Sequence, residues 1–103
     1  NVISGGDFSV IGGGYENTVD GTGYNVITNG YTNLASATAT TVVGGTFNKA
    51  VSNYATILAG FRNKVNGRFS TVVGGSKNSV SGRFSFGMGS LAKVRLKSCA
   101  LRR

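Results

Sequence analysis

The sequence predicts an all-β fold, a parallel β-roll or β-solenoid of about six 15-residue coils, and three observations carry that prediction. Asparagines recur at Asn1, Asn17, Asn33, Asn48, Asn63 and Asn78, separated by 16, 16, 15, 15 and 15 residues. From the second onward, each follows an apolar doublet and glycine: Val10-Ile11 before Gly12, Val26-Ile27 before Gly30, Val42-Val43 before Gly44, Ile57-Leu58 before Gly60 and Val72-Val73 before Gly74. Two residues after each asparagine stands an aliphatic: Ile3, Val19, Ala35, Ala50, Val65 and Val80. A unit this short cannot bury its own apolar side, so tandem copies must stack and bury it against one another. At 103 residues the chain is one domain, and stacking relieves the stability limit of so small a core because every coil adds an interface.

Each element follows from its residues. In the best-formed unit, residues 69–83, Thr71-Val72-Val73 is β-branched and predicts a short strand. Gly74 to Asn78 is turn chemistry, where Gly or Asn takes positive φ, and it predicts a corner. From there Asn78, Val80, Gly82 and Phe84 alternate with Lys77, Ser79, Ser81 and Arg83, the period of a strand with one buried and one wet face. That parity assigns Phe69 and Phe84 to core packing. Helix is excluded, since glycine would recur in its interior at about 1 kcal/mol each. Coils rising about 4.8 Å each predict a rod on the order of 30 Å long. The structural ladder expected at the corner is Asn17, Asn33, Asn48, Asn63 and Asn78, with amides bonded up and down the stack, compatible with αL turn residues.

The doublets add a second expectation. Adjacent strand residues point to opposite sides, so of Val42 and Val43, Ile57 and Leu58, or Val72 and Val73, one fills the core and the other forms a trimer seam. The sequence leaves open which is which. It predicts one outward apolar stripe along the rod, and such a stripe implies self-association.

Residues 1–94 resemble the head repeats of the YadA-like trimeric autotransporter adhesins, in a 15-residue variant. The resemblance rests on Val-Val-Gly-Gly at 72–75, Asn-x-Val-x-Gly at 78–82 and Phe-Ser at 84–85, and residues 85–94 come nearest to the family's own pattern. The unit here is one residue longer than the adhesin form, residues 24–38 are irregular (Thr28-Asn29 and Ala37 replace glycines), and no family neck motif or membrane anchor follows the repeats. The resemblance implies a left-handed homotrimeric β-roll with a structural and adhesive role on an extracellular surface fibre. Its partners would be further copies of itself and, outside, a host matrix protein, glycan or other polyanion. The pattern also resembles phage-fibre-like arrays, so a virus or phage tail-fibre segment is one alternative. A monomeric polyanion- or glycan-binding solenoid is another, and it predicts that the chain covers its own second apolar column.

Catalysis is not expected. With no His and a single Cys, nucleophile–base pairs and zinc clusters lack their groups, and no metal or cofactor is implied. Asp7 and Asp20 are nearly one coil apart but in non-equivalent slots, unlike paired glycosidase carboxylates. Gly12-Gly13-Gly14 and Gly44-Gly45 read as corners rather than phosphate loops, since no Lys-Ser/Thr follows.

Charge is lopsided. Asp7, Glu16 and Asp20 are the only acids, the first base is Lys49, and the formal net charge is +8. Lys49 with Lys64, and Arg68 with Arg83, share slots in successive coils and are the candidate polyanion-binding residues; the plainer reading is solubility and suppressed stacking between rods. No specific nucleic-acid site is legible, and no apolar run approaches the roughly 20 residues of a membrane span. Tyr15, Tyr24, Tyr31 and Tyr54 fall near corners as packed rings with wet hydroxyls. Thr38, Thr40 and Thr41 cluster in one coil, whereas an ice-binding face needs threonine on every coil. The chain opens in mid-repeat and reads as a piece of a longer polypeptide. Residues 95–103 lose the pattern and are expected to form a C-terminal cap, helical by preference, or a junction.

Overall fold

The computed structural model describes residues 1–5, 7–95 and 99–102, with side chains for 1–5 and 7–95. Fourteen strands follow one another and, among the described residues, no helix interrupts them: β1 (Val2–Ile3), β2 (Val10–Ile11), β3 (Thr18–Val19), β4 (Val26–Ile27), β5 (Leu34–Ala35), β6 (Thr41–Val42), β7 (Lys49–Ala50), β8 (Thr56–Ile57), β9 (Lys64–Val65), β10 (Thr71–Ser76), β11 (Ser79–Val80), β12 (Phe86–Ser90), β13 (Lys93–Val94) and β14 (Cys99–Arg102). Odd-numbered strands form one seven-stranded sheet and even-numbered strands another, here called the first and second sheets. Each strand pairs in parallel with its equivalent one coil away, as Ala50↔Val65 and Ile27↔Val42. The result is a parallel β-solenoid of about six turns, its longest dimension 33 Å.

The core is a thin double column. Val19, Ala35, Ala50, Val65 and Val80 point inward from the first sheet, and Ile27, Val42, Ile57 and Val72 from the second, all without exposed surface. This settles the doublets: Val42, Ile57 and Val72 are core, while Val43, Leu58 and Val73 face out.

The outward stripe differs from the expectation of a single column. Val26-Ile27 aligns with Thr41-Val42, and Thr41-Val42 with Thr56-Ile57. The early doublets therefore end on the core residue and the later ones begin on it. Two partial columns flank the core slot: Val10, Val26, Thr41, Thr56, Thr71 and Phe86 before it, and Gly12, Thr28, Val43, Leu58 and Val73 after it.

The corners also correct two expectations. Positive φ belongs to the residue before each asparagine, at Glu16, Thr32, Phe47, Arg62 and Lys77, and not to the asparagine. At the opposite corner Phe8, Tyr24, Ala39, Tyr54, Phe69 and Phe84 hold positive φ as well. An αL residue slips the strand alternation by one, so Arg83 and Phe84 both point outward before Ser85 turns in. Counting parity from Val80 through that slip is what assigned Phe69 and Phe84 to the core. They are 43% and 55% exposed. Glycine is required where coils approach closely: at Gly60, with φ 109°, a Cβ would collide with the Gly75 carbonyl.

Beyond residue 94, Cys99–Arg102 pairs in parallel with β12 as one more strand of the second sheet, in place of a helical cap. The rest of that expectation, at residues 96–98 and 103, lies outside the described residues.

Candidate functional site

Each asparagine of the ladder is buried and bonded in both directions. Oδ1 of Asn17, Asn33, Asn48 and Asn63 accepts the backbone N–H of the next asparagine at 3.0 Å, while Nδ2 of Asn48 and Asn63 donates to the Gly60 and Gly75 carbonyls of the following coil at 3.0 and 3.1 Å. Asn78 passes the bond on to the Ala92 N–H at 2.9 Å. Every polar atom is spent on the stack, so this column is structural. A second buried polar column, which the asparagine period does not reveal, runs along the other corner. There Thr40 bonds Asn25 Oδ1 through its N–H at 2.9 Å and its hydroxyl at 2.6 Å, and Ser70 Oγ accepts the Ser85 N–H at 3.0 Å.

The charged residues separate by face. Alternation places Arg62, Lys64, Asn66 and Arg68 outward along one coil of the first sheet, Lys77, Ser79, Ser81 and Arg83 along the next, and Lys93 and Arg95 along the one after, with Lys49 in the coil before. All eight bases among the residues with described side chains therefore lie on the first sheet's outer face and its two margins. Lys49 and Lys64 are register partners near mid-face. Arg68 and Arg83 share a slot at one margin, together with Asp7, Gly23, Thr38 and Asn53. The four candidate cations thus stand on two separate rails of one face. Arg62 and Lys77 share a third rail on the opposite margin, which sequence reading missed although both directly precede ladder asparagines 15 residues apart.

Geometry fixes parts of this face. The Arg62 guanidinium sits over the rings of Phe47 and Phe61, 5.6 and 5.1 Å from their centroids, and such contacts favour one orientation of the cation. Arg83 lies 5.9 Å from the Phe84 centroid. Phe47, Lys49, Arg62, Asn63 and Lys64 line a cleft of about 300 Å³. At the margin, Tyr54, Phe69 and Phe84 stack at 4.7 and 5.1 Å with planes within 5° of parallel. Ala39 separates that stack from the Phe8–Tyr24 pair at 5.4 Å. Tyr15 and Tyr31 stack on the opposite margin, also at 5.4 Å. All four tyrosines are exposed.

The outer face of the second sheet is different in kind. Its two columns hold Val10, Val26, Val43, Leu58, Val73 and Phe86 among threonine and glycine, with no ionisable group among the side chains described there. Thr41, Thr56 and Thr71 fall in one register on three successive coils, an array that the clustering of Thr38, Thr40 and Thr41 concealed; Thr40 is buried.

Asp7 and Asp20 occupy different slots, beside Gly23 and Ser36 respectively. Among the described residues no three His, Cys, Asp or Glu side chains gather as a metal would require. The class of protein these features define is a parallel β-solenoid repeat protein with a cationic face and, among the described side chains, an uncharged face opposite. No protein-family model matches the chain, and no curated protein matches it in sequence.

Proposed function

We propose that this chain is a non-catalytic, self-associating segment of an extracellular surface fibre. In this reading three β-rolls meet through the outer faces of their second sheets and turn their first sheets outward for adhesion. The observation that carries it is the uncharged face, where Val43 and Leu58 are each 41% exposed on a rod of formal net charge +8. Like charges repel even in water, so copies approach at least cost through the side that bears none among its described side chains. Parallel copies in register would lay Val43, Leu58 and Val73 against the same columns of their neighbours, and cyclic closure would cover every such face. The number three is supplied by the resemblance to adhesin heads.

The test is absolute mass by light scattering behind size exclusion, at low and high salt, for the unmodified chain and for Leu58→Lys. A mass near three chains that falls to one in the variant supports the seam. A monomer under all conditions removes the trimer and leaves a monomeric polyanion- or glycan-binding solenoid, without the covered second apolar column expected of it, since Val43 and Leu58 are exposed.

A further inference from the structure

We infer that the outer face of the first sheet is a binding site for a linear sulfated glycan, centred on Lys49, Arg62, Lys64 and Lys77 and bounded by Arg68 and Arg83. The bases form a lattice rather than a scatter. Same-slot neighbours are one coil apart, about 4.8 Å, and outward residues along a coil are about 6.6 Å apart. From Lys49 to Lys93 the block spans four coils, on the order of 15 Å along the axis. No carboxylate side chain interrupts it, because Asp7, Glu16 and Asp20 all precede residue 21. A rigid cationic lattice of this size attracts an extended polymer whose own charges are closely spaced.

Three observations favour sulfate on a sugar chain over other anions. Arg62 is held over Phe47 and Phe61 at 5.6 and 5.1 Å, leaving its planar fork of donors to meet an oxyanion bidentately. The cleft formed by Phe47, Lys49, Arg62, Asn63 and Lys64, about 300 Å³, has room for one sugar ring, and three of its five lining residues are cations. Single-stranded nucleic acid needs free aromatic faces for its bases, and at the margin Phe69 is covered on both sides by Tyr54 and Phe84, at 4.7 and 5.1 Å. The site belongs to one rod and does not depend on the trimer.

The protein's own repeats supply substitutions that its coils accept. Ser79 is the register partner of Lys64, and Thr32 holds the slot of Arg62 two repeats earlier. The triple variant Lys49→Ser, Arg62→Thr, Lys64→Ser is titrated calorimetrically beside the unmodified chain, with circular dichroism to compare their folds. The probes are a short heparin oligosaccharide, its desulfated counterpart and single-stranded oligothymidylate of matched charge. The expected result is binding of the sulfated probe that weakens with salt, drops below detection on desulfation, and falls roughly 10- to 100-fold in the triple variant. Equal binding of the desulfated sugar overturns the inference on the unmodified chain alone, whether or not the variant folds. Undiminished binding by a folded variant overturns it as well, and oligothymidylate bound as tightly as the sulfated sugar overturns the assignment to a glycan. Oligomeric mass is read separately, so loss of the seam and loss of this site are distinguishable.

Discussion

Asn63 Oδ1 accepts the backbone N–H of Asn78 at 3.0 Å, and Asn63 Nδ2 donates to the carbonyls of Ala59 and Gly75 at 3.2 and 3.1 Å. One buried side chain thus joins its own corner to the next coil. Buried donors and acceptors left without partners cost far more than a surface bond is worth.

Replacing Asn63 with alanine strands the buried Asn78 N–H and takes one donor from the carbonyls of Ala59 and Gly75, the latter keeping the Phe61 N–H. The expected loss is about 3 kcal/mol, read from urea unfolding. Asn63→Asp should cost more at neutral pH, because it buries a charge against carbonyl oxygens. A loss below about 1 kcal/mol for the alanine variant would show that the ladder is a consequence of the stack and not a cause of it.

Ile57 and Leu58 should separate folding from association. Ile57 has no exposed surface and Leu58 is 41% exposed. Ile57→Ala is expected to destabilise the fold by about 2–5 kcal/mol. Leu58→Ala should leave the unfolding of dilute monomer within about 0.5 kcal/mol and lower the midpoint of self-association instead. Concentration-dependent thermal melts of both variants distinguish the two effects.

Ala39 offers a gain. It holds positive φ between the Tyr24 and Tyr54 slots and breaks the marginal aromatic column. Ala39→Tyr should join Phe8–Tyr24 to Tyr54–Phe69–Phe84 and add about 0.5–1.5 kcal/mol. A double-mutant cycle between the new tyrosine and Tyr54 measures the coupling, and a value indistinguishable from zero refutes the stacked geometry.

Lys77→Gly should be neutral or stabilising although it removes a side chain. Lys77 sits at φ 57°, a conformation that disfavours residues with a Cβ by about 1–2 kcal/mol. Gly60→Ala should do the opposite and destabilise severely, since the new methyl meets the Gly75 carbonyl. Matched chemical denaturation of the two variants tests this asymmetry.

Salt should stabilise the chain. Lys49 and Lys64 are register partners, and the acids lie in the first twenty residues, away from the bases. Screening of that repulsion predicts a melting temperature higher by about 2–4 °C at roughly 0.2 M salt than at 0.02 M. A fall in melting temperature with salt would indicate that attractive pairs dominate.

The sequence by itself determined the β-solenoid, because a 15- to 16-residue recurrence of asparagine, glycine and an aliphatic slot leaves stacking as the way to bury the apolar side. It also determined that Lys49 and Lys64 share a slot, since each lies one residue after a ladder asparagine, Asn48 and Asn63. Only the tertiary structure decided the faces. Whether Val42 or Val43 enters the core depends on register between coils, and the register moves one residue where the repeat shortens from 16 to 15. Whether Phe84 packs inside or stacks outside depends on one αL residue that slips the alternation by one. A local period is blind to such slips, because it counts residues along the chain, while packing is set by where the backbone turns.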